Sequence, residues 1–173
     1  MRGSLVIWSA GLALLFAGAA IAQGWTAFSP EGGRYRIDMP AQPKVETAPI
    51  SWGGEKLTMT EATVRLAAAV YLVSYVDYPD RVAMAGSSDV MLDKVRNGMA
   101  SGSTLSGERK IASGRAAGRE FTIIQANGVA NAVRLFWARN RLYQLMVTGR
   151  AGIETQPDTR RFFDSFAIIR PQG

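Results

Sequence analysis

At 173 residues with a formal net charge of +6, the chain amounts to about one domain and is long enough to bury a substantial core. It contains no histidine and no cysteine. Those absences exclude Ser-His-Asp and Cys-His catalysis, disulfides, and zinc, copper or haem sites of ordinary type, because the base and the soft ligands are missing.

Residues 1–22 read as an address. Met1-Arg2 is a short positive start, Leu5 to Phe16 is an apolar run, and Ala20-Ile21-Ala22 is a small-x-small cleavage site before Gln23. The pattern predicts a secretory signal peptide over 1–22 and a single mature domain over 23–173, placed in the periplasm or outside the cell. The alternative is an uncleaved signal segment, which would be the chain's only membrane attachment. No cysteine follows the run to carry a lipid, and no twin-arginine pair precedes it. With no cysteine, packing alone must hold the exported fold together.

Charge is uneven along the chain. Residues 23–108 carry 8 Lys/Arg against 10 Asp/Glu, whereas residues 109–173 carry 11 against 4. Such asymmetry marks a surface for an anionic envelope component or an acidic protein, or else scattered arginines that keep a small domain soluble. No nucleic-acid partner is expected of an exported chain.

In chain order, Trp25–Phe28 and Tyr35–Met39 are short strands joined by Ser29-Pro30-Glu31-Gly32-Gly33, whose proline and glycines suit a turn. Met39-Pro40 and Gln42-Pro43 make an extended connector. Lys44–Ile50 is a strand, Ser51-Trp52-Gly53-Gly54 a turn, and Glu55–Leu66 and Ala69–Tyr78 are further strands ending at Pro79-Asp80. A helix capped by Ser87 or Ser88 runs to about Ala100 and lays Val90, Met91, Val95 and Met99 on a sheet. Thr104–Ile111 is a strand. After the meander described next, a last helix, about Pro157 to Ser165, presents Phe162, Phe163 and Phe166. Ala167 to Ile169 adds a short strand or simply packs.

Three apolar runs, Phe121–Gln125, Val129–Ala138 and Arg141–Thr148, are separated by Asn127-Gly128 and Arg139-Asn140. They predict an antiparallel meander with two-residue turns. In that register Ala126 faces Val129 and Ala138 faces Arg141. Phe121 and Ile123 then share a face with Ala132, Arg134 and Phe136. Both faces of the meander are apolar, so each must be covered.

Catalytic patterns are scarce. No Ser-x-x-Lys occurs, and Gly32-Gly33 and Gly53-Gly54 lack the Lys-Ser/Thr context of a phosphate loop. Asp77 and Asp80 flank a Tyr-Pro turn and read as turn-makers. Glu120 reads as a rim carboxylate. Two residues stand out as candidate partner or anion contacts. Arg134 lies on an apolar strand face, where it either holds an anion or covers apolar surface with its stem. Trp52 sits in a Ser-Trp-Gly-Gly turn, where its ring must fold back or meet a partner.

Short motifs carry a resemblance across most of the mature chain: Trp25-x-x-Phe28, Gly33-x-Tyr35-x-Ile37-x-Met39-Pro40 with Pro43, Gly118-Arg119-Glu120-Phe121, Arg134-Leu135-Phe136, Asn140–Leu145 and Arg161–Phe166. In these the chain resembles small exported bacterial proteins of the PsbP/DcrB-like group, which share the Mog-type fold. The resemblance implies an α+β domain, an α/β/α sandwich whose central, mostly antiparallel sheet bears a helix on each face. It implies no shared enzyme activity, and no photosystem role carries over; the residues themselves point to no cofactor and no metal. The expectation is an exported, non-catalytic binding or accessory (scaffold) protein of the bacterial envelope, acting on an envelope protein or anionic component. The alternative is a periplasmic module that binds a small ligand or lipid between sheet and helix.

Overall fold

Successive runs of β-branched and aromatic residues, several of them apolar on both faces, make the molecule a sheet protein. The computed structural model describes residues 24–169, so the expected leader, residues 1–22, lies outside the described residues. Strands β3 (Lys44–Trp52), β4 (Glu55–Arg65), β5 (Val70–Asp77), β6 (Thr104–Ser113), β7 (Ala116–Ile124), β8 (Val129–Ala138) and β9 (Arg141–Arg150) form one sheet. Its order is β3-β4-β5-β9-β8-β7-β6, and every pairing is antiparallel. Strands β1 (Thr26–Phe28), β2 (Tyr35–Met39) and β10 (Ala167–Ile168) form a second, three-stranded sheet centred on β2. The helices are α1 (Asp80–Met84), α2 (Ser88–Ala100) and α3 (Pro157–Asp164).

The expected α/β/α sandwich with a helix on each face is overturned. Only α2 covers one face of the seven-stranded sheet as a helix, burying Met91, Leu92 and Val95 against Val133, Leu135 and Trp137. The opposite face is covered chiefly by the three-stranded sheet, with α3 beside it; Tyr35, Ile37 and Met39 of β2 and Phe162 of α3 are almost wholly buried there. The reason is dimensional. Eight residues of α3 make a rod about 12 Å long, whereas seven strands span roughly 29 Å. One short helix cannot roof that width, and an aromatic-rich hairpin from the amino-terminal part of the domain completes it.

The meander register departs from expectation in one hairpin. Ile124 pairs with Ala130 and Phe121 with Val133, one residue off the two-residue-turn register. Gln125 and Gly128 close a turn (Gly128 N–H to Gln125 C=O, 3.0 Å), so Ala126-Asn127-Gly128 forms a three-residue loop with Gly128 at φ 79°. A slip of one residue exchanges the two faces of a strand. Phe121 and Ile123 therefore point to the α2 side. The Arg139-Asn140 turn has the expected register, but the positive φ falls on Arg139 (58°).

Both sheet edges are blunted. Pro49 in β3 has no N–H to offer a further strand, and β6 carries a bulge between Ser106 and Arg109 with Gly107 at φ 63°.

Candidate functional site

Gly53 and Gly54, both at positive φ, close the β3–β4 hairpin in two residues, so Trp52 is the last residue of β3 and pairs with Glu55. Trp52 thus lies on a strand, not in a turn. The pairing aims its ring along the face that also carries Ile50 and Leu57, towards α2. There the ring folds back on Tyr78, edge to face at 5.6 Å between centroids, and Tyr78 in turn packs on Trp137 at 5.2 Å. Burial pushes the Tyr78 hydroxyl pKa up to about 12.

Beside the half-buried Trp52 is a groove of about 250 Å³ between the hairpin tip, α1 and the start of α2. Trp52, Val82, Ala85, Val90 and Met91 supply apolar walls, and Arg81 and Lys94 supply the rim. Val90 is 46% exposed, and Met84 at the end of α1 is 80% exposed. The expected helix stripe placed Val90 on the sheet; Leu92 takes that position and is fully buried. Met91, Leu92, Val95 and Met99 fall at i, i+1, i+4 and i+8, which is the better helical phase, and that spacing was the available signal. Helix α1 carried no such signal, having no buried residue of its own.

Arg134 is placed quite differently. Glu120 faces it across the β7–β8 pair and accepts its Nε–H, while Asp164 of α3 accepts from Nη1 at 2.9 Å. Its guanidinium also lies over the Phe163 ring, 4.9 Å from the centroid. Glu120 is shared with Arg109 at 2.6 Å. Arg134 is thereby committed to two carboxylates, and it lies in a different group of contacts from Trp52.

Two other arginines, both 4% exposed, fasten the layers. Arg119 on β7 reaches Asp89 (2.7 Å) and Asp93 (3.1 Å) of α2. Hydrogen bonds from Arg119 and Lys110 hold the Asp89 carboxyl below the usual aspartate range. Arg141 forks onto Asp77, with Nε at 2.6 Å, and donates through Nη1 to the carbonyls of Gly32 (2.7 Å) and Gly33 (2.8 Å). It also lies 4.3 Å over the Tyr75 ring. Asp80 accepts from Asn140 at 3.2 Å, so Asp77 and Asp80 both serve the turn region. Among the described residues no group of three or more acidic side chains is placed to hold a metal ion.

A second depression of about 380 Å³ lies along β3 and β4, lined by residues of both charges, with Lys44 and Glu46 paired at 2.7 Å. Among the described residues no helix is long and apolar enough to cross a membrane.

No protein-family model matches the chain, and no curated protein matches it. The likeness to the PsbP/DcrB-like group therefore stands on its short motifs. Among solved structures, the chain is similar to that of PA94, a protein of unknown function from Pseudomonas aeruginosa, at 11% identity. That match covers 86% of this chain and 99% of the other, with a TM-score of 0.48, and carries no inference about role.

Proposed function

We propose that this chain is an exported, non-catalytic accessory protein of the bacterial envelope that docks a protein partner at the groove beside Trp52. The observation that carries the reading is a contrast of surfaces. The arginines that hold the layers together, Arg119, Arg134 and Arg141, are satisfied within the fold, whereas Ala85 and Val90 are exposed beside a half-buried Trp52 and Val82, over a floor formed by the buried Met91. An open apolar concavity rimmed by charge is the usual form of an interface anchor site. The pattern of residues 1–22 supports export. The reading of a pocket between sheet and helix is disfavoured, because Leu92, Val133 and Leu135 fill that space with no exposure. The groove's 250 Å³ also falls below the roughly 300–1,000 Å³ typical of small-molecule pockets.

The test is crosslinking in cells from a photoreactive residue in place of Ala85, an exposed residue of the groove wall, with Trp52 present and with Trp52→Ala. Loss of the edge-to-face contact with Tyr78 is expected to lower Tm by about 2–6 °C while abolishing partner capture. A fall beyond about 10 °C would make the ring a core residue and remove it as a contact. Substrate turnover by the purified protein would overturn the accessory role.

A further inference from the structure

The chemistry of the groove narrows what can occupy it. Its floor is apolar, and the two charged side chains among its lining residues, Arg81 of α1 and Lys94 of α2, are both cationic. No carboxylate lines it. Arg81 is bonded to Glu55 through Nη2, which leaves other N–H donors of its guanidinium available. Lys94 is exposed and has no carboxylate partner among the described residues.

We infer that the groove takes a short acidic-apolar segment of a partner protein, with one large apolar side chain against Trp52 and Val90 and a carboxylate beside it on Lys94. This rests on the accessory reading and specifies the partner's chemistry. Opposite charge around an apolar anchor is how interfaces steer and select partners. A second copy of this chain suits the groove poorly, since residues 23–173, with 19 Lys/Arg against 14 Asp/Glu, carry a net +5 that repels its like. A flat anionic bilayer suits it poorly too, because the apolar floor is recessed between a hairpin and two helices, where a plane of headgroups does not reach it.

The experiment uses isotope-labelled full-domain protein and three matched synthetic peptides. One has a phenylalanine flanked by glutamates, one has lysines for the glutamates, and one has serine for the phenylalanine. Vesicles of phosphatidylglycerol and a dilution series without peptide complete the set. The glutamate–phenylalanine peptide is expected to shift the Trp52 indole and the Val90 and Lys94 amide resonances, and to bind about tenfold tighter than either of the others. Lys94→Glu, at an exposed position, is expected to reverse the preference between the glutamate and lysine peptides. Equal binding of those two peptides, or no shift at Trp52 with any of them, would overturn the assignment. So would shifts at these residues caused by the vesicles or by protein concentration alone. If the peptides fail while position 85 still crosslinks a protein in cells, the chemistry assigned here is wrong and the accessory reading survives. If the peptides bind as expected but the protein proves to turn over a substrate, the accessory reading falls and the groove's selectivity stands.

Discussion

Gly118 shows how closely β7 packs on β8. A Cβ at this position would lie 2.5 Å from the backbone carbonyl oxygen of Leu135 and 2.7 Å from Phe136 Cδ1. Backbone cannot yield as a flexible side chain does, so Gly118→Ala is expected to destabilise by about 1–3 kcal/mol, read as a lower urea midpoint with an unchanged slope. Arg141 is equally placed by its surroundings, its fork tying the Gly32-Gly33 turn of the small sheet to β5 and β9 of the large one. These residues lie within motifs that carry the family resemblance, and the structure places most of the aromatic ones, such as Tyr35, Phe136, Tyr143 and Phe162, in one core cluster. Residue identity revealed that they matter and that the faces must be covered. It did not reveal which side chain meets which. Arg134 looked open to an anion because the expected register set Phe121 opposite it, whereas the true register sets Glu120 there.

At the scale of elements, that error had a single physical source. Asn-Gly is compatible with a two-residue turn, but it also closes a three-residue loop when Gly supplies the left-handed residue at its end, and local sequence does not choose between them. What decides is burial on the two faces: the observed register places Phe121 (1% exposed) and Ile123 (4% exposed) under α2. Trp52 was misplaced for a related reason, since Gly53-Gly54 alone suffices for the turn and leaves the tryptophan in the ladder. The clamp between α2 and the sheet has its own consequence. Asp89, held below its usual pKa first by the Arg119 hydrogen bond and then by Lys110, favours the folded state above the ordinary aspartate value of about 3.9 and loses that contribution as pH falls through its own lower value. Asp89→Asn is therefore expected to lower Tm modestly at neutral pH and to leave a shallower decline of Tm on acidification below about pH 4. A decline as steep as that of the unmodified protein would show that Asp89 is not coupled to Arg119 and Lys110 of the sheet.

Over the whole molecule, two apolar clusters lie on opposite faces of one seven-stranded sheet, and tyrosines sit in both of them. Burial raises the pKa of Tyr35, Tyr71, Tyr78 and Tyr143 above the ordinary value near 10. A phenol whose folded pKa is raised contributes stability that is complete below the unfolded value and disappears as pH climbs through the folded one. Alkaline titration is thus expected to show most tyrosinate absorbance appearing later than the ordinary value near 10, together with loss of the circular-dichroism signal of the sheet. Ordinary titration of these four groups near pH 10 with the sheet intact would contradict their burial. The architecture itself was only partly legible in the sequence. Strand periodicity revealed the meander and the need for two covers, but the lid on the second face is assembled from β1, β2 and β10, drawn from opposite ends of the domain. No local pattern announces a pairing over that distance. The proline and the bulge at the two margins of the large sheet carry a last implication. A border interrupted by a proline on one side and a bulge on the other offers a neighbouring strand only a broken ladder, which disfavours backbone pairing between copies. Association is left to side chains, which makes it selective, reversible and responsive to ionic strength.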